Sequence, residues 1–455
     1  MNTSHRPSVA RSLSFGVLLR TETAAAFAAD LLHEYLTREE VRPEDAALAT
    51  ELTLGVLRWQ RRLDYELEPH LSGKKLDPPV RIALRLGAYQ ILFLDRIPAH
   101  AAVNESVELT KRAGKRSAAG LVNAVLRKLV ARRTGEKHRT FPAGTPAAER
   151  LAIQHSHPTW IVERWLHHFG EKDSVALLAA NNQPPLSSVA ILAAGSESAQ
   201  DVIPSTFAPA RWLASAAYVT SQSDREREQF AERLAAGEIA YQDEASQMVA
   251  HLLDVQPGAC VLDVCAAPGG KTLLLAHKAA KVVASDLHLH RVSALRERLT
   301  KQRGLAPIQV LALDAARPLP FSAQFDRVLV DVPCSGTGTL ARNPEIRWRL
   351  TSEDLLDLQA RQRAILGNAL DALAPGGRLV YSTCSLEPEE NEQVVEPLLA
   401  DHPDCKLVDG RAELQRRLRD TADVNQLFDA RGYFRTFPPT HHTDGFFAAV
   451  IKKDV

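Results

Sequence analysis

The sequence predicts a multidomain protein with an all-helical bundle over residues 1–140, a small α+β connector over 151–237 and an α/β domain over 238–455. Three observations carry this prediction. Apolar residues recur at helical spacing in the first part, a segment rich in Thr, Gly, Pro and charge follows at Thr134–Arg150, and apolar runs alternate with helical stretches from Tyr241 onwards. Such alternation is typical of a doubly wound, mostly parallel sheet.

The helical periodicity of the first part is clearest between Ala118 and Leu129. Its apolar residues fall at i, i+3, i+4, i+7, i+8 and i+11, which places them on one face of a helix. Similar stripes run through Leu48–Leu63 and Val80–Leu94. Prolines, which are tolerated in the first turn of a helix, stand at the predicted starts, at Pro43, Pro78, Pro79 and Pro98.

The formal net charge of zero conceals an asymmetry along the chain. Residues Met1–Pro142 contain 23 Lys and Arg against 16 Asp and Glu, whereas the remainder contains 32 against 39. A basic N-terminal part indicates an anionic partner such as a nucleic acid, although a charge of this size is also common on ordinary surfaces. Basic residues cluster at the end of the helix described above, at Arg127, Lys128, Arg132 and Arg133.

Composition excludes several classes of protein. No apolar run approaches the ~18 residues of a membrane span, and the N-terminus lacks the pattern of a signal peptide. Five cysteines in a long chain without such a signal favour reduced thiols and a cytoplasmic location, and none has zinc-site spacing, so we expect neither a metal nor a membrane partner. Cys260 and Cys405 lie on apolar runs and are expected in the core.

The connector carries a mixed signal. A helix is expected to begin near Pro158 and to stop at Gly170, and Val189–Ala194 could be a strand. The connector contains no motif that carries chemistry.

The α/β domain is where polar residues follow apolar runs. Helices are expected at Arg291–Gln302 and Ser352–Leu373. The candidate strands are Cys260–Val264, Val282–Ser285, Val310–Leu313, Val328–Val330 and Arg378–Tyr381. Ligands of doubly wound sheets bind at the carboxyl ends of the strands, so the residues that follow these runs are the candidate site.

A glycine turn follows the first candidate strand. Gly269 and Gly270 let a ligand approach the backbone, and the spacing around them matches neither a dinucleotide fingerprint nor a P-loop. Asp286, Asp314 and Asp331 end the next three strands. An acid at the second strand end can bind ribose hydroxyls, so the set predicts a nucleoside site, while each Asp taken singly could be a helix cap or turn residue.

Two cysteines lie in polar Ser, Thr and Gly turns after later strands, Cys334 and Cys384. Carbon 5 of cytosine is a poor nucleophile unless a thiolate first adds to carbon 6, and a base must afterwards remove the carbon-5 proton. Asp331 could hold ring nitrogen 3 and assist its protonation. One such cysteine would more often be a structural thiol, whereas two beside a nucleoside site favour methyl transfer to cytosine.

These motifs together resemble the Nop/Sun family of RNA cytosine-5 methyltransferases over Tyr241 to Lys453. The matching motifs are QDEASQ from Gln242, CAAPGGKT from Cys265, DVPCSGTGT from Asp331, RNPEIRW from Arg342, YSTCSLEPEENE from Tyr381 and DGFF from Asp444. The N-terminal part resembles NusB-type RNA-binding domains, through the stretches LTLGVLR from Leu52, RLGAYQ from Arg85, IPAHAA from Ile97 and GLVNAVLR from Gly120.

The resemblance implies a class I, Rossmann-like domain that uses S-adenosyl-L-methionine. It assigns Cys384 as the nucleophile and Cys334 to product release, with Asp331 as a further catalytic residue. The implied cofactor contacts are Cys265, Ala266, Ala267, Pro268, Gly269, Gly270, Lys271, Asp286, Asp314 and Asp331. The implied partner is 16S rRNA, unassembled or early-assembled, bound by a monomer.

One departure from the family pattern follows Pro185. The family has a Leu-Arg-Val-Asn-like strand there, whereas this chain reads LSSVAIL from Leu186, which puts one RNA contact in doubt. Three alternatives remain: the same reaction on tRNA or another RNA, a NusB-like regulatory module with a vestigial enzyme domain, and a DNA methyltransferase. The last would use the Pro-Cys thiol as nucleophile and leaves the second cysteine turn unexplained.

Overall fold

The helices and strands of the first and last parts of the chain belong to two compact units. The computed structural model describes residues 7–24, 26–38, 41–71, 73, 75–133, 139–192, 207–219, 224–302 and 304–455. The first unit comprises Met1–Gln183 together with Leu340–Arg349, and the second comprises Pro184–Thr339 together with Leu350–Val455. The three-domain division made from the sequence stays a prediction.

The helices of the described residues are α1 Val9–Ala24, α2 Ala28–Arg38, α3 Pro43–Leu67, α4 Pro78–Phe93, α5 Ala99–Arg112, α6 Ala119–Arg133, α7 Ala147–Gln154, α8 Thr159–Ala180, α9 Asp224–Ala236, α10 Glu244–Leu252, α11 Gly270–Ala276, α12 Leu289–Thr300, α13 Ile346–Arg349, α14 Ser352–Ala372, α15 Glu392–Asp401, α16 Arg411–Gln415 and α17 Pro438–His441. The strands are β1 Ser188–Ile191, β2 Ala208–Pro209, β3 Ala216–Tyr218, β4 Ile239–Tyr241, β5 Cys260–Asp263, β6 Lys281–Asp286, β7 Ile308–Ala312, β8 Phe325–Asp331, β9 Leu373–Thr383, β10 Cys405–Leu407, β11 Phe434–Thr436 and β12 Phe446–Lys453.

The helical prediction for the N-terminal part is confirmed. Helices α3 and α4 begin with the prolines Pro43 and Pro78, and Pro98 immediately precedes α5. The predicted apolar stripe lies on α6, where Val122, Val125, Leu126 and Leu129 are buried and pack in one core with α3, α4 and α5. No helix among the described residues is long and apolar enough to cross a membrane.

The basic residues of α6 divide into two kinds. Arg127 and Lys128 are exposed, whereas Arg132 forms an ion pair with Glu66, whose side chain is fully buried. Arg132 therefore stabilises the bundle, while the first two remain available to an anionic partner. The side chain of Arg133 and the linker residues 134–138 lie outside the described residues.

Helix α8 consists of two helical stretches that meet at Gly170. Gly170 has φ of +73° and ψ of 172°, which are not helical values, so the regular helix that begins after Pro158 ends at this residue as predicted. A second helical stretch then continues to Ala180, and its apolar residues Leu177 and Leu178 are buried.

A segment from the C-terminal half of the sequence completes the first unit. Arg347 is fully buried and donates to the carbonyls of Ser156 and Asn181 at 3.2 and 3.0 Å and to Oδ1 of Asn182 at 2.9 Å. Trp348 donates to the carbonyl of Leu57 at 2.7 Å. Burial lowers the pKa of Arg347 to about 9, so its charged form still dominates at neutral pH. The RNPEIRW motif therefore has a structural role, because its side chains hydrogen-bond to distant parts of this unit.

The second unit contains a small antiparallel sheet and a large mixed one. The small sheet has the order β2-β3-β1-β4, and all four residues of its central strand β1 are buried. Central burial accounts for the apolar sequence Val189–Ile191, which replaces the family's basic strand. Of the predicted strand Val189–Ala194, the last two residues lie outside the described part, and loss of an RNA contact stays a prediction.

The large sheet has the order β10-β12-β9-β8-β5-β6-β7, with β11 paired to β12. Strands β7, β6, β5, β8 and β9 are parallel, which confirms the predicted doubly wound sheet. The antiparallel strand β12, which has six buried residues and pairs with β9, was not predicted. Because β5, β8 and β9 are neighbours, the residues after their carboxyl ends must lie close together.

Candidate active site

The glycine turn after β5 is built by hydrogen bonds to β6. Ser285 donates through Oγ to the carbonyl of Val264 at 2.7 Å, and the amide of Ala266 donates to the carbonyl of Ser285 at 2.7 Å. Gly269 has φ of +98°, and a Cβ there would lie 2.4 Å from Cδ1 of Leu295. Both the backbone and the space therefore require glycine at this position.

A pocket of about 120 Å³ lies against this turn. It is lined by seven of the predicted cofactor residues, namely Cys265, Ala266, Ala267, Pro268, Gly270, Lys271 and Asp331. Its wall also contains Asp263 and Gln242, which the sequence analysis did not assign. Asp263 Oδ1 and Gln242 Oε1 are buried without a hydrogen-bond partner among the described residues. Burial raises the pKa of Asp263 to about 7.

The predicted residues Gly269, Asp286 and Asp314 do not line that pocket. Asp286 ends β6 and accepts the amide of His288 at 3.1 Å, and Asp314 accepts the amide of Ala316 at 3.1 Å. Such contacts are those of a turn residue, which is the other role that the sequence allowed for each Asp. The two acids nevertheless end adjacent strands, since the amide of Leu313 donates to the carbonyl of Asp286 at 3.1 Å.

The residues around the pocket suit a cationic nucleoside cofactor. S-Adenosylmethionine carries a sulfonium and an ammonium, and unpartnered acceptors such as Asp263 Oδ1 and Gln242 Oε1 favour donors or positive charge beside them. Asp286 stands at the second strand end, where acids bind ribose hydroxyls. In the part of the chain that the structure describes, no group of three His, Cys, Asp or Glu side chains could hold a metal ion.

Asp331 is held from both sides at the end of β8. Its Oδ2 accepts Lys271 Nζ at 2.8 Å and its Oδ1 accepts Ser382 Oγ at 2.7 Å. The ammonium of Lys271 also lies 5.0 Å from the ring centre of Phe446. Because both oxygens are engaged, the direction of the carboxylate is set by side chains of β9 and the cofactor turn.

The two cysteine turns meet beside Asp331. Cys334 Sγ lies 3.2 Å from Cys384 Sγ, and both residues are partly exposed. The hydrogen bond with Cys384, followed by burial, raises the pKa of Cys334 well above its ordinary value. A thiol that keeps its proton at neutral pH can donate it to the sulfur of Cys384. Of the other cysteines, Cys405 is buried as predicted, but Cys260 is half-buried at the start of β5.

The chain is similar in sequence to proteins of known families over most of its length. The family model of the 16S rRNA methyltransferase RsmB/F matches residues 250–452, and that of the NusB family matches 8–131. The probable ribosomal RNA small subunit methyltransferase B of Bacillus subtilis is 31% identical, covering 97% of this chain and 98% of the relative. Ribosomal RNA small subunit methyltransferase B of Vibrio cholerae is 32% identical, covering 96% and 98%.

The chain belongs to the ribosomal RNA small subunit methyltransferase B family. The resemblance stated from its motifs is thereby confirmed, and the chain is a methyltransferase of a family that uses S-adenosylmethionine. The solved structure of PH0851 shares the fold, with a TM-score of 0.79 and 24% identity over 99% of this chain and 100% of that one. A methyltransferase homologue from Pyrococcus horikoshii has a TM-score of 0.54 and 27% identity, covering 68% and 99%.

One of the buried acids in the family motifs contacts both cysteine turns, and it was not among the predicted site residues. Glu390, in the YSTCSLEPEENE motif, accepts hydrogen bonds from the residues that follow both cysteines, Ser335 and Ser385. The signal that could have found it is the run of glutamates that begins three residues after Cys384, of which Glu390 is fully buried. Charged residues are rarely buried unless they are hydrogen-bonded.

Proposed function

We propose that this enzyme methylates carbon 5 of a cytosine in small-subunit ribosomal RNA, through a covalent bond between the cytosine and Cys384. The observation that carries the proposal is the 3.2 Å separation of the Cys334 and Cys384 sulfurs. Two thiols so close together, beside Asp331, can both reach one pyrimidine ring. A single nucleophilic thiol would have no use for the second.

The first step is addition of Cys384. Its Sγ forms a bond to carbon 6 and the ring electrons move toward carbon 5, while ring nitrogen 3 gains a proton with the help of Asp331. The ammonium of Lys271, 2.8 Å from Asp331, adds positive charge that stabilises the electron-rich ring. S-Adenosylmethionine, when bound, supplies the electrophilic methyl group that carbon 5 then takes. Its contacts are proposed to be Cys265, Ala266, Ala267, Pro268, Gly269, Gly270, Lys271, Asp286, Asp314 and Asp331.

The second step is release, and the environment of Cys334 suits it. The leading cause of the raised pKa of Cys334 is its hydrogen bond with Cys384. Once Cys384 is bonded to carbon 6 this hydrogen bond is lost, and Cys334 Sγ is free to act as the base that release requires. Cys334, once its thiol proton has passed to solvent, removes the carbon-5 proton, the ring double bond re-forms, and the electron pair of the carbon–sulfur bond returns to Cys384. With the help of Asp331, ring nitrogen 3 gives up the proton that it gained in the first step.

The RNA partner is supported by the first unit. The NusB family model matches residues 8–131, and Arg127 and Lys128 are exposed on α6. Phosphate contacts of this kind release counterions, so we expect binding to weaken steeply with salt. The target cytosine must leave its stack to reach the two thiols, which favours 16S rRNA that is unassembled or early-assembled. That the enzyme acts as a monomer in the cytoplasm is part of the same proposal.

The test separates the roles of the two cysteines. Wild type, Cys334→Ala and Cys384→Ala are each incubated with S-adenosylmethionine and 16S rRNA, and protein–RNA adducts are resolved on a denaturing gel. An adduct that accumulates only with Cys334→Ala is expected, because attack proceeds and release does not. An adduct found only with Cys384→Ala would reverse the two roles.

The substrate is tested with the same proteins. Purified 16S rRNA, total tRNA and a DNA duplex are offered in parallel, and the modified base is mapped by mass spectrometry of nuclease fragments. Methylcytosine is expected in 16S rRNA alone. Modification of tRNA alone would overturn the ribosomal assignment, and absence of S-adenosylmethionine binding by calorimetry would favour a regulatory module with a vestigial enzyme domain.

A further inference from the structure

A single buried carboxylate joins the two cysteine turns. Glu390 lies in the short 3₁₀ helix Pro388–Glu390 that follows β9, and its side chain is fully buried. Its Oε1 accepts the amide of Ser335 at 2.7 Å and Nε2 of Gln362 at 2.9 Å. Its Oε2 accepts the hydroxyls of Ser335 and Ser385. Four donors therefore converge on one carboxylate.

The positions of these donors connect the carboxylate to the thiols. Ser335 directly follows Cys334, and Ser385 directly follows Cys384. The two serine hydroxyl oxygens lie 3.0 Å apart, close to the 3.2 Å between the two sulfurs. A displacement of Glu390 would therefore move both turns, and loss of either bond would let one turn move relative to the other.

The donors around Glu390 favour a charged carboxylate over the neutral amide of glutamine. Burial raises the pKa of Glu390, and the hydrogen bonds from Ser335 and Ser385 oppose that change. Hydroxyls can reverse their direction, but the amide of Ser335 can only donate. Glutamine could satisfy the same four groups only if both hydroxyls reversed to accept from its NH2 group, and none of the four hydrogen bonds would then involve a charged group.

We propose that Glu390 is a positioning residue that fixes the separation of Cys334 and Cys384, so that attack and release act on the same cytosine. The effect of Glu390 on catalysis rests on the proposed function, whereas its effect on the distance between the two thiols is independent of that function. Glu390 is buried beneath the turns and acts through Ser335 and Ser385. The carboxylate is expected to affect the rate of reaction and to leave RNA binding unchanged.

The test measures the distance between the thiols without using activity. Phenylarsine oxide bridges two neighbouring thiols, forming two arsenic–sulfur bonds, while the two thiol protons and the oxide oxygen leave as water. The full-length variants are Glu390→Gln, the milder Ser335→Ala, and the control Glu396→Gln. Glu396 is exposed on α15 and pairs with Arg431 at 2.6 Å, away from these contacts. Cys384→Ala gives the background from the other cysteines.

Bridging is expected to slow about tenfold in Glu390→Gln, because the hydrogen bonds from Ser335, Ser385 and Gln362 lose their charged acceptor. A smaller slowing is expected in Ser335→Ala, and none in Glu396→Gln. The melting temperature of each variant is measured alongside, and Ser335→Ala decides the matter if Glu390→Gln does not fold. Bridging at the wild-type rate in both variants would overturn the proposal.

The methylation assay then tests the catalytic consequence. In Glu390→Gln we expect kcat to fall about tenfold with KM for RNA unchanged, since the residue contacts no surface open to RNA. A raised KM with unchanged kcat would assign Glu390 to RNA binding instead. If the wild type methylates no RNA, the proposed function fails, while the bridging rates still decide whether Glu390 positions the thiols.

Discussion

Substitution of Gly338 by alanine is expected to disable the active site without unfolding the enzyme. The amide of Gly338 donates to the carbonyl of Cys384 at 2.9 Å, and its carbonyl accepts the amide of Gly445 at 2.8 Å. A Cβ on Gly338 would lie 2.1 Å from the carbonyl oxygen of Gly445. The Cys334 turn therefore packs closely between the residue after β9 and the residue before β12.

The magnitude follows from that distance. Relief to even a tight contact of about 3 Å requires a movement of roughly 1 Å, and a misplacement of this size can reduce a rate by about 100-fold. Overpacking of the same kind costs about 1–3 kcal/mol of stability. Gly338→Ala should therefore lose most of its kcat while it remains folded at room temperature.

The assay pairs initial rates of methyl transfer with thermal melting. The control is Gly367→Ala, because Gly367 lies within α14 and a Cβ there would be 3.6 Å from Cδ2 of Leu398, an ordinary contact. That substitution should raise stability by about 0.5–1 kcal/mol and leave the rate unchanged. Retention of more than about a third of the wild-type kcat in Gly338→Ala would refute the reasoning, since the 100-fold loss would be absent.

Three further predictions concern other parts of the molecule. Arg347→Met should reduce the free energy of unfolding by about 2–4 kcal/mol, because it leaves buried carbonyls without donors. Denaturation followed by tryptophan fluorescence measures this change. A gain in stability would mean that the desolvation of the buried charge outweighs its hydrogen bonds. Asp263 has a folded pKa near 7, above its unfolded value of 3.8, so the protonated form stabilises the fold at low pH and the benefit is lost as pH rises through 7. Relative to Asp263→Asn, the wild type should lose melting temperature between pH 5 and pH 8, and parallel curves would contradict the assignment. Asp286→Ala should raise KM for S-adenosylmethionine by about 10- to 100-fold with little change in kcat, and an unchanged KM would remove Asp286 from the cofactor site.

The position of the proposed site could be predicted because sheet topology is encoded locally. Apolar runs such as Val282–Ser285 identify strands, and parallel strands bring Asp331 and the two cysteines to one edge whatever the details of packing. The arrangement of turn residues is equally local, since Gly269 must adopt positive φ. These inferences need only the order of strands and helices along the chain.

The remaining features depend on contacts between distant residues, which periodicity does not report. The sequence around Arg347 does not indicate that its partners are Ser156 and Asn181, because the motif lies between the two cysteine turns and far from both partners in the sequence. Glu390 is one of several glutamates in its motif, and only packing shows that it is the one that accepts hydrogen bonds from both cysteine turns. The helical stretch after Gly170 has Leu177 and Leu178 buried, and a local rule for helix ends does not predict that a second helix follows the first.

The discontinuity of the first unit has a consequence for how the chain folds. Glu345 accepts the amide of Ala28 across 317 positions of sequence, so this contact closes a very long loop. Closure of such a loop costs conformational entropy, and contacts of high sequence separation slow folding. A fragment that ends at Gln183 lacks Arg347, and its bundle would retain unsatisfied carbonyls at the base. The first unit is therefore finished only after residue 349 has been synthesised, when the Cys334 turn has been made and the Cys384 turn has not. Its folding cannot be completed before part of the second unit has left the ribosome.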